Sequence, residues 1–405
     1  LGLHPVENVK KADLVLVNTC SVRAKAEQKA FSYIGGLRRW KEGGNGKKLG
    51  VMGCMAARIP KVISEQFPYV DAVIPGKSIE EMKETVRRLL PEDMENLPSL
   101  KPAWLSSLST YAPVGMVSVI RGCSHNCSFC VVPYVRGPSR SVPPEEVISA
   151  IHRYVQRGVK EIYLLGQSIL DYGKDFARPF YLEDLLEKIH EEVPELLRIR
   201  FITSHPKDVT LRFVRAVKNL PKVMEYFHIP FQSGSNKVLR DMRRGITREE
   251  YIEKVAMIRE EIPQAGISSD IIVGFPTETE EDFEETRKLV QEIQLDSAYV
   301  FKYSPREHTL SALKWSDAVP PRVKSHRFHI LWEDIKSLSF QKNQKWVGKR
   351  GEILIEGEEK GYLYGRLPDF RMVHIEGKRE LIGSLVQVVI QSAGTWTLKG
   401  SLVLE

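Results

Sequence analysis

Six times between Gly115 and Lys302 the chain alternates a short apolar run with an amphipathic stretch. The runs are Gly115–Ile120, Glu161–Leu165, Ile199–Thr203, Tyr226–Pro230, Ile267–Val273 and Ser297–Lys302. Each has strand length, and intervening segments such as "PPEEVISAIHRYVQRG" and "EEDFEETRKLVQEI" carry helical spacing. Thr247 to Glu250 has the capping-box pattern that starts a helix. Strands alternating with helices imply a parallel sheet with helices on its faces. Six such units predict a partial (β/α)6 barrel of TIM type, short of the full eight.

The flanks read differently. Residues 1–90 alternate strand and helix on a smaller scale, from "ADLVLVNTC" through "KKLGVMGCM" to "VDAVIPG", which predicts a separate α/β domain with a parallel sheet. Residues 91–113 are rich in Pro and Ser and read as a linker. From 340 to 405 short strands with Gly turns predict a small antiparallel β-barrel resembling an OB fold. The expected fold class is therefore α/β, with the barrel spanning 114–339 between these two modules.

A chain of 405 residues has room for two or three domains. It contains no run of eighteen apolar residues, so no membrane span is predicted, and no signal peptide is visible. A net charge of +7 permits a nucleic-acid partner without demanding one. The five cysteines are odd in number and clustered, which fits metal binding in a reducing, cytoplasmic compartment better than a disulfide framework. The first residue is Leu, and the natural start is expected upstream.

In β/α barrels functional groups gather at the C-terminal ends of the strands. Here those ends run into Arg121-Gly-Cys123, Gly166-Gln167, "TSHP", "FQSGS", "GFPTET" and "YSPR". The first leads into Cys123-x3-Cys127-x2-Cys130. Three thiols leave two readings. One is a zinc knuckle with His125 as fourth ligand. The other is a [4Fe–4S] cluster with one iron not held by protein, a position that S-adenosylmethionine (SAM) can chelate. Cys20 and Cys54 sit at two further strand ends in the first domain, where α/β sheets place ligands, and point to a second cluster.

The Cys-x3-Cys-x2-Cys motif after a first barrel strand resembles the radical SAM superfamily. That resemblance implies that Phe129 lies beside the SAM adenine and that Gly166 and Gln167 hold its amino group. It also makes Thr203, Gln232, Ser233 and Arg244 candidates for the ribose and carboxylate. With "NTCSVR", "MGCMA", "CVVPYVRG", "TSHPKD", "IPFQSGSNKVLRDMRRG" and "YSPREHT", the whole chain looks like the methylthiotransferases. Their small β module is the RNA-binding TRAM domain. That family carries a third auxiliary-cluster cysteine in a Gly-Cys-x-Met-Asn segment, which is expected upstream of Leu1.

The resemblance implies two [4Fe–4S] clusters and attachment of a methylthio group to C2 of adenosine 37 in tRNA. One SAM gives the 5′-deoxyadenosyl radical, a second gives the methyl group, and the auxiliary cluster gives sulfur. "TSHPKD" and "VVPYVRG" resemble the branch acting on N6-dimethylallyladenosine, while "DYGKDF" leaves the threonylcarbamoyladenosine branch open. Implied partners are the tRNA anticodon stem-loop, an electron donor and a sulfur or iron–sulfur carrier, with a monomer expected. Candidate RNA contacts are Tyr134, Arg136, Arg140, Arg243, Lys349, Arg350, Arg366 and Arg371. The competing classes are an iron–sulfur electron-transfer protein and an RNA-binding adaptor.

Overall fold

The structure, a computed structural model, describes residues 6–21, 24–44, 46–75, 79–89 and 113–403. Apart from Pro113 the expected linker lies outside the described residues. In the first unit β1 (Leu14–Thr19), α1 (Ala24–Gly36), α2 (Arg38–Glu42), β2 (Lys48–Gly53), α3 (Cys54–Arg58), α4 (Pro60–Gln66), β3 (Ala72–Ile74) and α5 (Ile79–Leu89) follow one another. β1, β2 and β3 pair in that order, all parallel. Ile34, Leu49, Val51 and Ile63 form the centre of its own apolar core.

The second unit runs β4 (Val114–Ser118), β5 (Ile120–Arg121), α6 (Val132–Arg136), β6 (Arg140–Ser141), α7 (Pro144–Val155) and β7 (Glu161–Leu165). It continues through α8 (Leu182–Glu192), β8 (Arg198–Phe201), α9 (Leu211–Asn219), β9 (Tyr226–His228), α10 (Asn236–Asp241), α11 (Arg248–Glu261) and β10 (Gly266–Val273). It ends with α12 (Glu280–Ile293), β11 (Ser297–Lys302), α13 (Leu310–Lys314) and α14 (Pro321–Gln344). The strands form two parallel triplets, β4-β7-β8 and β9-β10-β11. Main-chain bonds from Ile199 to Lys222 and from Ser204 to His228 join the triplets into one six-stranded arc. Val117, Ile162, Ile199, Phe227, Ile267 and Ile271 are buried along it, and each such side chain contributes roughly 1.5–3 kcal/mol of apolar burial. Thr247 and Glu250 make the expected reciprocal cap of α11. The long α14 was not anticipated; Leu331, Ile335 and Leu338 recur along it at helical spacing and are buried.

The third unit is a closed five-stranded barrel of β12 (Arg350–Glu359), β13 (Tyr362–Arg366), β14 (Met372–Ile375), β15 (Leu385–Ala393) and β16 (Thr397–Leu402). Four of its pairings are antiparallel, and β14 with β16 is parallel. Among the described residues no helix is long and apolar enough to cross a membrane.

Glu161, Arg198, Tyr226 and Gly266 each open a strand, so they mark the N-terminal foot of the arc. The segment Leu367–Arg371, between β13 and β14, docks there. Arg200, wholly buried, donates from Nε to Glu161 at 2.9 Å and from its two terminal nitrogens to the Leu367 and Pro368 carbonyls at 3.0 and 3.2 Å. Arg198 donates to the carbonyls of Arg366 and Glu352 at 2.6 and 2.9 Å. Phe370 stacks on Tyr226 with ring centroids 4.3 Å apart. A side chain at Gly266 would strike the Asp369 carbonyl. Removing one member of a buried pair strands a charge, whereas removing both does not. Arg200→Met alone is therefore expected to lower stability by about 3–5 kcal/mol, and Arg200→Met with Glu161→Leu to recover most of that loss, as read from chemical-denaturation midpoints.

Candidate active site

The loop after β5 is shaped by its own backbone. Gly122 has φ +81° and leaves no room for a side chain, because one would strike the Pro138 carbonyl. Its N–H donates to Gln167 Oε1 at 2.7 Å, which ties the cysteine loop to the end of β7. Ser128 anchors the middle of the loop to α10, its Oγ donating to the Asp241 carbonyl at 2.7 Å. Cys130 N–H closes a turn on the Cys127 carbonyl at 3.1 Å. Arg244 is buried and donates from Nη1 to Cys127 Sγ at 3.1 Å and from Nη2 to the Pro230 carbonyl at 2.6 Å. Phe129 packs beside Val238, Met242, Phe275 and Tyr303.

Burial pushes the Cys123 thiol up to about 11 and the Cys130 thiol up to about 12. Thiols so desolvated ionise only against local positive charge, which a bound metal centre supplies. Three cysteines on one loop, two of them desolvated and the one between them carrying a guanidinium, fit an iron–sulfur cluster.

The other rim positions divide. Thr203 (φ 68°) and Gln232 (φ 74°) both occupy the left-handed region, which costs a side-chain-bearing residue about 1–3 kcal/mol. Among the described buried atoms without a hydrogen-bond partner are Gln232 Oε1, Arg244 Nε and His205 Nε2. At the rim such atoms can meet a polar ligand; Glu161 Oε2 and Arg198 Nε at the foot lack partners as well. Gly166 lies so close to Ile120 that a side chain would collide with it. Ser233 is turned away: its hydroxyl contacts Thr286 on α12 at 3.4 Å and accepts from Ser235 N–H at 3.3 Å.

A polar cluster beside Cys123 was not singled out from sequence. The His125 ring stacks on His205 with centroids 3.9 Å apart. Its Nε2 lies 2.9 Å from Asp208 and 3.4 Å from Asp171, and Lys174 bridges both carboxylates at 2.6 and 2.9 Å. Burial opposes charge on His125, but hydrogen bonds to Asp171 and Asp208 outweigh it and raise the group to about 9. Burial, then the charges of Arg244 and His125, push His205 down to about 2. One ring of the stack is an imidazolium and the other is neutral. His125 Nε2 is taken up by Asp208 and Asp171, and Cys123, His125 and Asp171 lie close enough together to hold a metal ion. The signal in the sequence was a histidine inside the cysteine motif together with one at the "TSHP" rim.

In the first unit Thr19 pairs with Gly53, so Cys20 and Cys54 leave adjacent parallel strands at the same level. A side chain at Gly53 (φ +93°) would fill the gap against Asn18 and the Thr19 carbonyl. Cys54 is buried against Val131 and Val135 of the cysteine-loop segment, and Arg136 Nε donates to its Sγ at 3.3 Å. The two cysteine groups therefore face a common boundary.

Of the candidate RNA contacts, Tyr134, Arg136, Arg140, Arg243, Lys349 and Arg350 are exposed. Arg366 and Arg371 are turned into the seam under the arc. Arg366 pairs with Glu356, and Arg371 pairs with Asp369 and with Asp296 at 2.5 Å. Arg366 precedes the docking segment and Arg371 ends it; their acceptors are Glu356 and Asp369 on their own module and Asp296 at the foot of the arc.

Residues 117–290 match the radical SAM superfamily, 344–403 the TRAM domain and 1–75 the Uncharacterized protein family UPF0004. The chain is 38% identical to a Dictyoglomus thermophilum protein named tRNA-2-methylthio-N(6)-dimethylallyladenosine synthase, over 100% of this chain and 93% of that one. It is 39% identical to a Bacillus subtilis protein of the same name, over 100% of this chain and 81% of that one. In fold it is similar to the Kitasatospora setae radical S-adenosylmethionine methyltransferase TsrM, with TM-score 0.57 and 14% identity over 76% of this chain and 68% of that one. The chain belongs to the radical SAM superfamily and, within it, to the family of tRNA-2-methylthio-N(6)-dimethylallyladenosine synthases.

Proposed function

We propose that this protein is a transferase that attaches a methylthio group to C2 of N6-dimethylallyladenosine at position 37 of tRNA. Relatedness along the whole chain to synthases of that name carries the reading, and the site supplies a chemical reason for it. The target carbon bears an unactivated aromatic hydrogen, which no general base in water removes. Cys123, Cys127 and Cys130 would hold one [4Fe–4S] cluster, and Cys20 and Cys54 would contribute to a second. When bound, the cofactors supply the hard chemistry: reductive cleavage of SAM at the first cluster, sulfur from the second and a methyl group from a further SAM.

The protein's own part is placement. Gln167 fixes the start of the cysteine loop through the Gly122 amide. Arg244 puts a positive charge on Cys127 and ties the loop to the end of β9 through Pro230. Phe129 offers an apolar face for an adenine, while Thr203 and Gln232 hold strained positions at the rim. Gly166 and Ser233 act through the backbone and loop they shape. Tyr134, Arg140 and Arg243 near the mouth, with Lys349 and Arg350 on the small barrel, are the proposed RNA contacts. A division at 1–90, 114–339 and 340–405, its last boundary falling within α14, gives one module each to the second cluster, the radical chemistry and the RNA. The anticodon stem-loop, an electron donor and a sulfur or iron–sulfur carrier complete the partners of a cytoplasmic monomer.

Mass spectrometry of tRNA nucleosides after anaerobic incubation with SAM and a reductant is expected to show the methylthio mark on dimethylallyladenosine. The mark on threonylcarbamoyladenosine instead would reassign the substrate. Replacing Cys123, Cys127 and Cys130 together by Ala is expected to abolish 5′-deoxyadenosine formation while leaving tRNA binding intact; retained product would refute the assignment. Thr203→Gly relieves the left-handed backbone and is expected to stabilise the apo-protein by about 1 kcal/mol. The same change is expected to weaken SAM binding several-fold by calorimetry.

A further inference from the structure

We propose that Arg136 of the barrel sets the reduction potential of the centre held by Cys20 and Cys54, with Arg306 as a second barrel cation acting in the same direction. The inference rests on the reading above that those two cysteines ligate an iron–sulfur cluster. It goes beyond that reading by assigning control of that cluster to residues of the other domain.

Cys54 is 4% exposed, and its surroundings from Val131, Val135 and Ala57 are apolar. In such a place one hydrogen bond to sulfur counts for more than it would in water. Cys54 Sγ accepts one from Arg136 Nε at 3.3 Å, across the domain boundary. Arg136 ends α6, a single short helix that begins two residues after Cys130. The segment that carries the barrel cysteines thus also carries the charge placed on the other site.

A second cation approaches from the loop after β11. Glu27 is buried and accepts from Arg58 at 2.8 Å and from Arg306 at 3.0 Å. It also pairs with Ser21, the neighbour of Cys20. Arg306 is itself buried and is joined through Glu27 to Ser21, the residue after Cys20. Glu307 approaches Arg58 at 3.5 Å but is largely exposed. Among the described residues the barrel thus brings Arg136 onto Cys54 and Arg306 onto Glu27, which also holds the residue after Cys20.

Positive charge and hydrogen bonds to sulfur stabilise the more negative, reduced form of a cluster, and so raise its potential. In this arrangement the barrel supplies both. A sulfur-donating centre is thereby held to the redox state that the barrel's presence dictates.

The test uses the protein as its gene encodes it in full, with Cys123, Cys127 and Cys130 replaced by Ala so that only the second cluster remains, and follows that cluster by EPR-monitored redox titration without RNA. Arg136→Gln is expected to shift the midpoint to more negative potential, and Arg136→Lys to return most of the shift. An RNA-contact role for Arg136 would leave this readout unmoved. Should Arg136→Gln lose its iron, Arg306→Gln provides the measurement, with a smaller shift in the same direction expected. An unchanged midpoint in an iron-replete glutamine variant overturns this inference alone. Absence of iron from the parent triple-alanine protein overturns the two-cluster reading, and this inference with it.

Discussion

Parallel pairing is the constraint on which the rest of the molecule depends. A parallel strand has to be entered from the same side as its neighbour, so every strand of a sheet ends at one rim. β1 and β2 in the first unit, and the six strands of the arc in the second, obey that rule. It gathers Cys20 with Cys54, and it gathers the cysteine loop with Gln167, Thr203 and Gln232, though these residues are far apart in sequence. Once the rims exist, α6 needs only one turn and a half to carry contact from Cys130 to Cys54.

Strand positions were legible because apolar runs bounded by Gly, Pro and polar residues are local signals. β7 and β11 match the expected Glu161–Leu165 and Ser297–Lys302, and β8 stops at Phe201, before the expected Thr203. Thr203 is excluded from the strand by its left-handed backbone, which no local pattern reveals. The cysteine motif was legible for the same local reason. The seam was not. Arg198 and Arg200 look like surface charges in "RIRF", and only the distant carbonyls of Arg366, Leu367 and Pro368 explain their burial. Arg366 and Arg371 were read as RNA contacts by the same logic, and their ion pairs lie in that seam. The stacked pair of His125 and His205 likewise depends on two rim loops meeting, which sequence spacing does not encode.

Stability and chemistry are distributed unevenly along the strands. At the foot of the arc the polar groups of Arg200 find a full set of acceptors, and rings close over them. At the mouth, strained backbone at Thr203 and Gln232 accompanies buried polar atoms without partners. The docked foot gives the strained mouth a rigid base, since strain survives only where its surroundings over-determine it, although Glu161 Oε2 and Arg198 Nε are left without partners there.

The docking of Leu367–Arg371 has a consequence for scale. It fixes the small barrel at the foot, whereas Cys123, Cys127 and Cys130 lie at the mouth. Between the two stands the height of strands five to eight residues long in β7 and β10, roughly 17–26 Å at ~3.3 Å per residue. An RNA that touches both ends at once has to bridge that height with its own folded shape. A fold assembled in this way sets a fixed span between its two ends, and a partner that touches both has to match it.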